Sequence, residues 1–105
     1  MSESILRFAK GYKESIERGE KKITIRKGIV KDIFPYSLQR TNLGFLLKIK
    51  SVLYTTFGRV PISDYKDDGF KTHIELMQKM GEFYTDVVLE DMCTVIRFEK
   101  RRIMK

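Results

Sequence analysis

Ile23 and Ile25 alternate with Thr24 and Arg26, the period-two pattern of a strand with one apolar face. Upstream, Tyr12 and Ile16 recur at helical spacing among Lys13, Glu14, Glu17 and Arg18, which predicts a short amphipathic helix over 11–18. Gly19 follows directly, where helices end on a residue of left-handed backbone. A first strand is predicted over 4–8. The run 43–57 is rich in Leu, Ile, Val, Tyr, Thr and Phe, with Lys48 and Lys50 alternating with Leu47, Ile49 and Ser51; it predicts one long bent strand or two, closed by Gly58 and Pro61. Ser63 is placed to cap a helical turn over 63–66, and Asp67, Asp68 and Gly69 then form a turn. Thr72-His73-Ile74-Glu75 has the form of a capping box. It predicts a helix over 72–83 with Ile74, Met77 and Met80 as its apolar stripe and His73 exposed in the first turn. The last strand, 89–99, sets Thr94, Ile96 and Phe98 on one face and Cys93, Val95 and Arg97 on the other. Between these patterns, 27–42 mixes Gly28, Pro35, Ser37, Thr41 and Asn42 with apolar residues and reads as a long, partly buried loop. Its Phe34 and Tyr36 either anchor the loop to the core or stack on a base.

A chain of 105 residues with 42% hydrophobic composition is expected to make one domain, 1–105, able to close a core unaided. Its mean hydropathy is −0.32. No apolar run approaches the ~18 residues that span a bilayer, and the N-terminus lacks the apolar region of a signal peptide, so a cytoplasmic setting without membrane association is expected. One cysteine and one histidine exclude an internal disulfide and leave too few soft ligands for zinc. No metal or organic cofactor is expected, and Cys93, in a strand-like run, reads as a buried structural thiol. The net charge of +7 is unevenly spread: acids concentrate over 64–91, whereas the segment around residue 22 and the end of the chain, 97–105, are basic. If the two basic regions meet, they form a face suited to phosphate backbones. The tail 100–105 is either frayed and solvated or ordered by a polyanion.

Charge density is highest beside the strand first described. Arg18, Lys21, Lys22, Arg26, Lys27 and Lys31 fall within fourteen residues, against the single acid Glu20. Either a solvated basic edge strand or an anionic ligand relieves that repulsion. The pattern Gly-x-Lys-x-x-Thr-x-Arg, present as Gly19, Lys21, Thr24 and Arg26, resembles the signature of the ASCH superfamily, small domains related to the PUA RNA-binding modules. Its place behind a short helix, the apolar run 43–52, the Asp68-Gly69-Phe70 turn before a helix and the closing strand 93–100 are also similar to ASCH sequences. The resemblance covers nearly the whole chain, with 28–42 fitting poorly.

That resemblance implies an α+β fold, a small PUA-like β-barrel with two or three peripheral helices. It implies binding of RNA or a modified nucleoside in a basic cleft lined by Lys21, Lys22, Thr24 and Arg26 and walled by Tyr36 or Phe34. Some ASCH proteins are N4-acetylcytidine amidohydrolases, whose lysine and threonine match Lys21 and Thr24. Their glutamate corresponds to Asp68 here, or to Asp67 if the loop is shifted by one, so the implied catalytic set is Lys21, Thr24 and Asp68. Aspartate is one methylene shorter, and a displacement of about 1 Å can lower a rate on the order of a hundredfold. Ribonuclease activity is a third implied theme, with the same cations stabilising a pentacoordinate phosphate, although the sequence offers no histidine pair as acid and base. Nothing in the sequence points to a protein partner.

Overall fold

The computed structural model describes residues 5–101. Strand β1 (Ile5–Leu6) leads through a turn of 3-10 helix (Lys10–Tyr12) into α1 (Lys13–Glu17). Then come β2 (Ile23–Lys27), β3 (Leu38–Thr41) and the long β4 (Leu46–Thr56), followed by a second 3-10 turn (Phe57–Arg59), α2 (Ile62–Asp67), α3 (His73–Phe83) and β5 (Met92–Lys100). Ser4, expected in the first strand, and 102–105 of the basic tail lie outside the described residues.

The strands form one five-stranded sheet in the order β1-β3-β4-β5-β2. β5 pairs antiparallel with β4 on one side and β2 on the other, whereas β1 pairs parallel with β3. Lying between two neighbours, β5 is apolar on both faces. Cys93 and Val95 face one cluster with Ile23, Ile25, Phe57, Leu76 and Met80, while Ile96 and Phe98 face another with Leu6, Phe8, Ile16, Leu47 and Ile49. Burial of each large apolar side chain stabilises the fold by roughly 1.5–3 kcal/mol, and Phe57 and Phe98, at 0% and 1% exposure, anchor the two clusters.

The α+β architecture with peripheral helices is the one expected, but the sheet is open where a closed barrel was expected: β1 and β2 are its two edges. The edges still approach, because the Arg26 guanidinium of β2 donates to the carbonyl of Arg7, just beyond β1, at 2.6 Å. A side chain thus bridges the gap that a closed barrel would fill with a ladder of backbone bonds.

Four local features go beyond the sequence pattern or against it. The supposed loop 27–42 contains β3, in which Gln39 is buried and Leu38 exposed, so side-chain polarity runs against the face each residue occupies. β4 is one strand carrying a bulge: Ile49 pairs with Phe98 and Ser51 with Arg97, which leaves Lys50 as the extra residue. The bulge shifts the phase, so that Leu47 and Ile49 before it and Val52 after it all face the same cluster. In α3 the buried stripe is Leu76 and Met80 with Met77 packed beside them, as expected of the two methionines, whereas Ile74 is 70% exposed. Ser63 is not a cap, since α2 begins at Ile62 behind Pro61.

Candidate functional site

Gly19 sets the site's starting point. Its φ of +78°, a left-handed value easy only for glycine, ends α1, and the backbone then folds so that Glu20 and Lys21 both donate to the carbonyl of Ser15 at 2.9 and 3.0 Å. This tight exit turns the Lys21 side chain inward over the Tyr12 ring, 4.7 Å from its centroid. There its ammonium donates to Asp68 Oδ1 at 2.8 Å and to the carbonyl of Ile23 at 2.9 Å.

Asp68 arrives from the opposite side of the cleft. Arg97 of β5 donates from Nε to Asp64 at 2.9 Å and from a terminal nitrogen to Asp67 at 2.8 Å, which pins α2 to the sheet. Gly69, with φ +94°, reverses the chain immediately after α2, and Phe70 N–H returns to the carbonyl of Tyr65 at 2.9 Å. The Asp68 side chain is left 9% exposed against Lys21 at 13%. Burial pushes the Asp68 carboxyl above its ordinary value, and the neighbouring Lys21 and Arg26 only partly oppose that rise. The pair is therefore tightly held, yet its carboxylate is more basic than a solvated one.

Thr24, 6% exposed, and Arg26 leave β2 on the same side. Arg26 Nε donates to Thr24 Oγ1 at 3.0 Å, and its guanidinium lies 4.9 Å from the centroid of the Phe8 ring. Phe8 is itself fixed by reciprocal bonds with Asn42, whose Oδ1 accepts from Phe8 N–H at 2.8 Å while its Nδ2 donates to Phe8 O at 2.9 Å. Desolvation lowers the Arg26 pKa, against the opposing influence of Tyr84, Asp68 and Tyr12.

These side chains border a cleft of about 900 Å³, between β2 on one side and the α2–α3 connection and α3 on the other. Of the residues singled out in the sequence, Lys21, Thr24, Arg26 and Asp68 converge there, and Asp67 lies at the edge. Lys22 does not join them: it points into a different groove with Lys13 and Lys50. Tyr36 lies apart as well, beside Lys48 and Arg101, because β3 is separated from β2 by β4 and β5. Phe34, at 61% exposure, is likewise absent from the lining. The aromatic walls are instead Phe8, Tyr12, Phe70, Phe83 and Tyr84. Those residues are scattered over the sequence with no shared motif; only Tyr12, in the turn before α1, and Phe70, in the turn after Asp68, had a positional signal. The cleft is also less basic than expected, since Glu20, Asp67, Asp68, Glu75 and Glu82 share its border with Arg7, Lys21, Arg26 and Lys79. Among the described residues, no group of three or more His, Cys, Asp or Glu side chains is placed to hold a metal ion. No helix among them is long and apolar enough to cross a membrane.

No family model and no curated protein matches the sequence. Solved structures do match the fold. The crystal structure of the hypothetical protein PH0355 superposes with a TM-score of 0.73 at 20% identity, over 90% of this chain and 95% of that one. The solution structure of protein PF0455 from Pyrococcus furiosus gives 0.62 at 19% identity, over 97% and 100% of the two chains. The ASCH domain from Lactobacillus crispatus gives 0.66 at 14% identity, over 84% of this chain and 69% of that domain. With its five-stranded sheet, its helices and their order in space, the chain has the fold of an ASCH domain.

Proposed function

We propose that the chain is a single ASCH-like module whose cleft binds a nucleoside, free or as an exposed residue of RNA. The observation that carries this reading is the Lys21–Asp68 pair standing beside the Arg26–Thr24 pair in one partly desolvated cleft. A nucleobase edge carries hydrogen-bond donors and acceptors side by side, and these two pairs offer carboxylate and hydroxyl acceptors next to ammonium and guanidinium donors. Tyr12, Phe70 and Tyr84 supply aromatic surface for the ring faces, where stacking on one aromatic is worth about 1–3 kcal/mol per base. The mixed charge at the border favours a neutral base and sugar over a run of phosphates.

A second reading, amidohydrolysis of N4-acetylcytidine-like nucleosides, is favoured by the meeting of Lys21, Thr24 and Asp68 in that cleft. Thr24 Oγ would attack the acetyl carbonyl, its proton passing to Lys21 and on to the departing N4 amine. Water would then cleave the acetyl-threonine ester, so that N4-acetylcytidine and water give cytidine and acetate. Arg26 would steady the oxyanion. Binding is preferred because Lys21 is already engaged as a donor to Asp68 and to the carbonyl of Ile23, whereas this step needs it to accept the Thr24 proton.

Incubation with N4-acetylcytidine, read by calorimetry for binding and by chromatography for cytidine, tests both readings. Saturable binding weakened at least tenfold by Lys21→Ala and Arg26→Ala supports the first. Turnover lost in Thr24→Ala and kept in Ser63→Ala establishes the second. If neither N4-acetylcytidine nor cytidine binds at millimolar concentration, the nucleoside reading fails.

A further inference from the structure

Tyr36 occupies a backbone position made for glycine. Phe34 to Ser37 form a tight turn closed by Ser37 N–H on the carbonyl of Phe34 at 3.2 Å, with Pro35 at its second position and Tyr36, φ +68°, at its third. Turns of this shape take glycine or asparagine there. The other non-glycine residues of positive φ among the described residues are Asp32 and Asp86, a residue type that tolerates the left-handed region far better than an aromatic. Tyr36 N–H is locked onto the carbonyl of Ile49 in β4 at 2.7 Å, so the conformation is imposed by the sheet. Its ring gains nothing in return, being 83% exposed. A strained residue that presents a large ring to solvent calls for a ligand.

The ring stands at one end of a basic tract. It shares a groove of about 680 Å³ with Lys48, Lys100 and Arg101. Through Lys100 and Arg101 this groove runs into a larger one of about 1340 Å³, bounded by α1 and the end of β5 and lined by Lys13, Lys22 and Lys50. Glu17, which pairs with Lys100 at 3.5 Å, and Glu99 are the acids along both. Lys13, Lys22, Lys48, Lys50 and Arg101 form no ion pair among the described residues. The β4 bulge contributes here, because it is Lys50, the extra residue, that lines the groove.

We propose that this tract is a second nucleic-acid site, binding single-stranded RNA with phosphates along Lys22, Lys50 and Arg101 and one base stacked on Tyr36. Unpaired cations beside an aromatic with a free face are the elements of single-strand recognition, and a duplex would hide the base faces the ring needs. The tract meets the nucleoside cleft only at Lys21, which borders both. It extends the nucleic-acid reading of that cleft but does not depend on the cleft being occupied.

The test is fluorescence anisotropy of a fluorescein-labelled decauridylate between 50 and 200 mM KCl. Affinity is expected to fall at least tenfold over that range, and Lys22→Gln with Lys50→Gln to flatten the log–log salt slope by about 1.4, at about 0.7 per phosphate contact. Tyr36→Gly, which relieves the backbone, is expected to melt no lower than the parent yet bind decauridylate at least fivefold more weakly; Tyr36→Phe is expected to retain binding. Lys66→Gln, which removes an exposed cation outside both sites, leaves decauridylate affinity unchanged, and Tyr36→Gly leaves cytidine binding unchanged, so failure at one site is distinguishable from failure at the other. Unaltered affinity in Tyr36→Gly, a flat salt response, or equal affinity for duplex RNA overturns the proposal. Binding to phosphatidylserine vesicles without binding to decauridylate overturns it in favour of a membrane surface.

Discussion

Removal of the Lys21 ammonium alone exposes how the cleft is held together. With nitrogen and oxygen 2.8 Å apart and both side chains largely buried, the charges attract by about 6 kcal/mol at an effective dielectric of about 20. Lys21→Met deletes that attraction while recovering the desolvation of the ammonium, and leaves Asp68 buried without its hydrogen-bonded counter-ion, with Arg26 as the remaining nearby cation. The net loss at pH 7 is expected to be about 3 kcal/mol, or roughly 12–24 °C in Tm for a domain of this size. The pH dependence is the sharper readout. Asp68 already has a folded pKa above its ordinary 3.8, because burial outweighs Lys21. Such a carboxyl binds protons more readily in the folded state, so its contribution is fully present below the unfolded value and is lost as pH rises through the folded one. Without Lys21 the folded value climbs further, and the lost stability is greatest at pH 7 and shrinks as Asp68 is protonated towards pH 4.5. Adding Asp68→Asn to Lys21→Met should restore most of the deficit at pH 7. Urea denaturation of the two single variants and the double variant at both pH values measures all these quantities. A Lys21→Met loss below 1 kcal/mol, or one equal at pH 7 and pH 4.5, would refute the reasoning.

Two further outcomes follow from buried polar groups elsewhere. Thr94, fully buried, accepts from Val30 N–H at 2.9 Å and donates to the carbonyl of Gly28 at 2.8 Å, so the isosteric Thr94→Val should destabilise the fold by about 2–4 kcal/mol in chemical denaturation and loosen the loop after β2. Burial pushes the Cys93 thiol up to about 11, so at pH 8 its reaction with Ellman's reagent should be limited by opening of the fold and become immediate in denaturant.

The sequence exposed those features whose physical cause is local. Thr72 caps α3 by accepting from Glu75 N–H at 3.2 Å, as the capping-box spacing implies, and β5 divides its side chains between two cores along the line its alternation drew. Gly19, Lys21, Thr24 and Arg26 were legible as a group because one turn and one strand carry them. Asp68 is 47 positions from Lys21, and only the family resemblance linked the two before their 2.8 Å contact was seen. What escaped had non-local causes. β3 was hidden because its partner β4, rather than its own pattern, decides that Gln39 is buried and Leu38 exposed. Tyr36 is close to the motif in sequence but two strands away across the sheet. His73, expected in solvent, packs its ring 4.6 Å from that of Tyr65, with a buried Nε2 that no hydrogen-bond partner reaches.

The most direct measurement is a titration of the nitrogen-15-labelled protein with cytidine, followed by amide chemical shifts. Saturable shifts centred on Thr24, Arg26, Asp68 and Tyr84 are expected, abolished in Lys21→Met. Shifts confined to residues outside the cleft, or a spectrum unmoved at 10 mM cytidine, would contradict it.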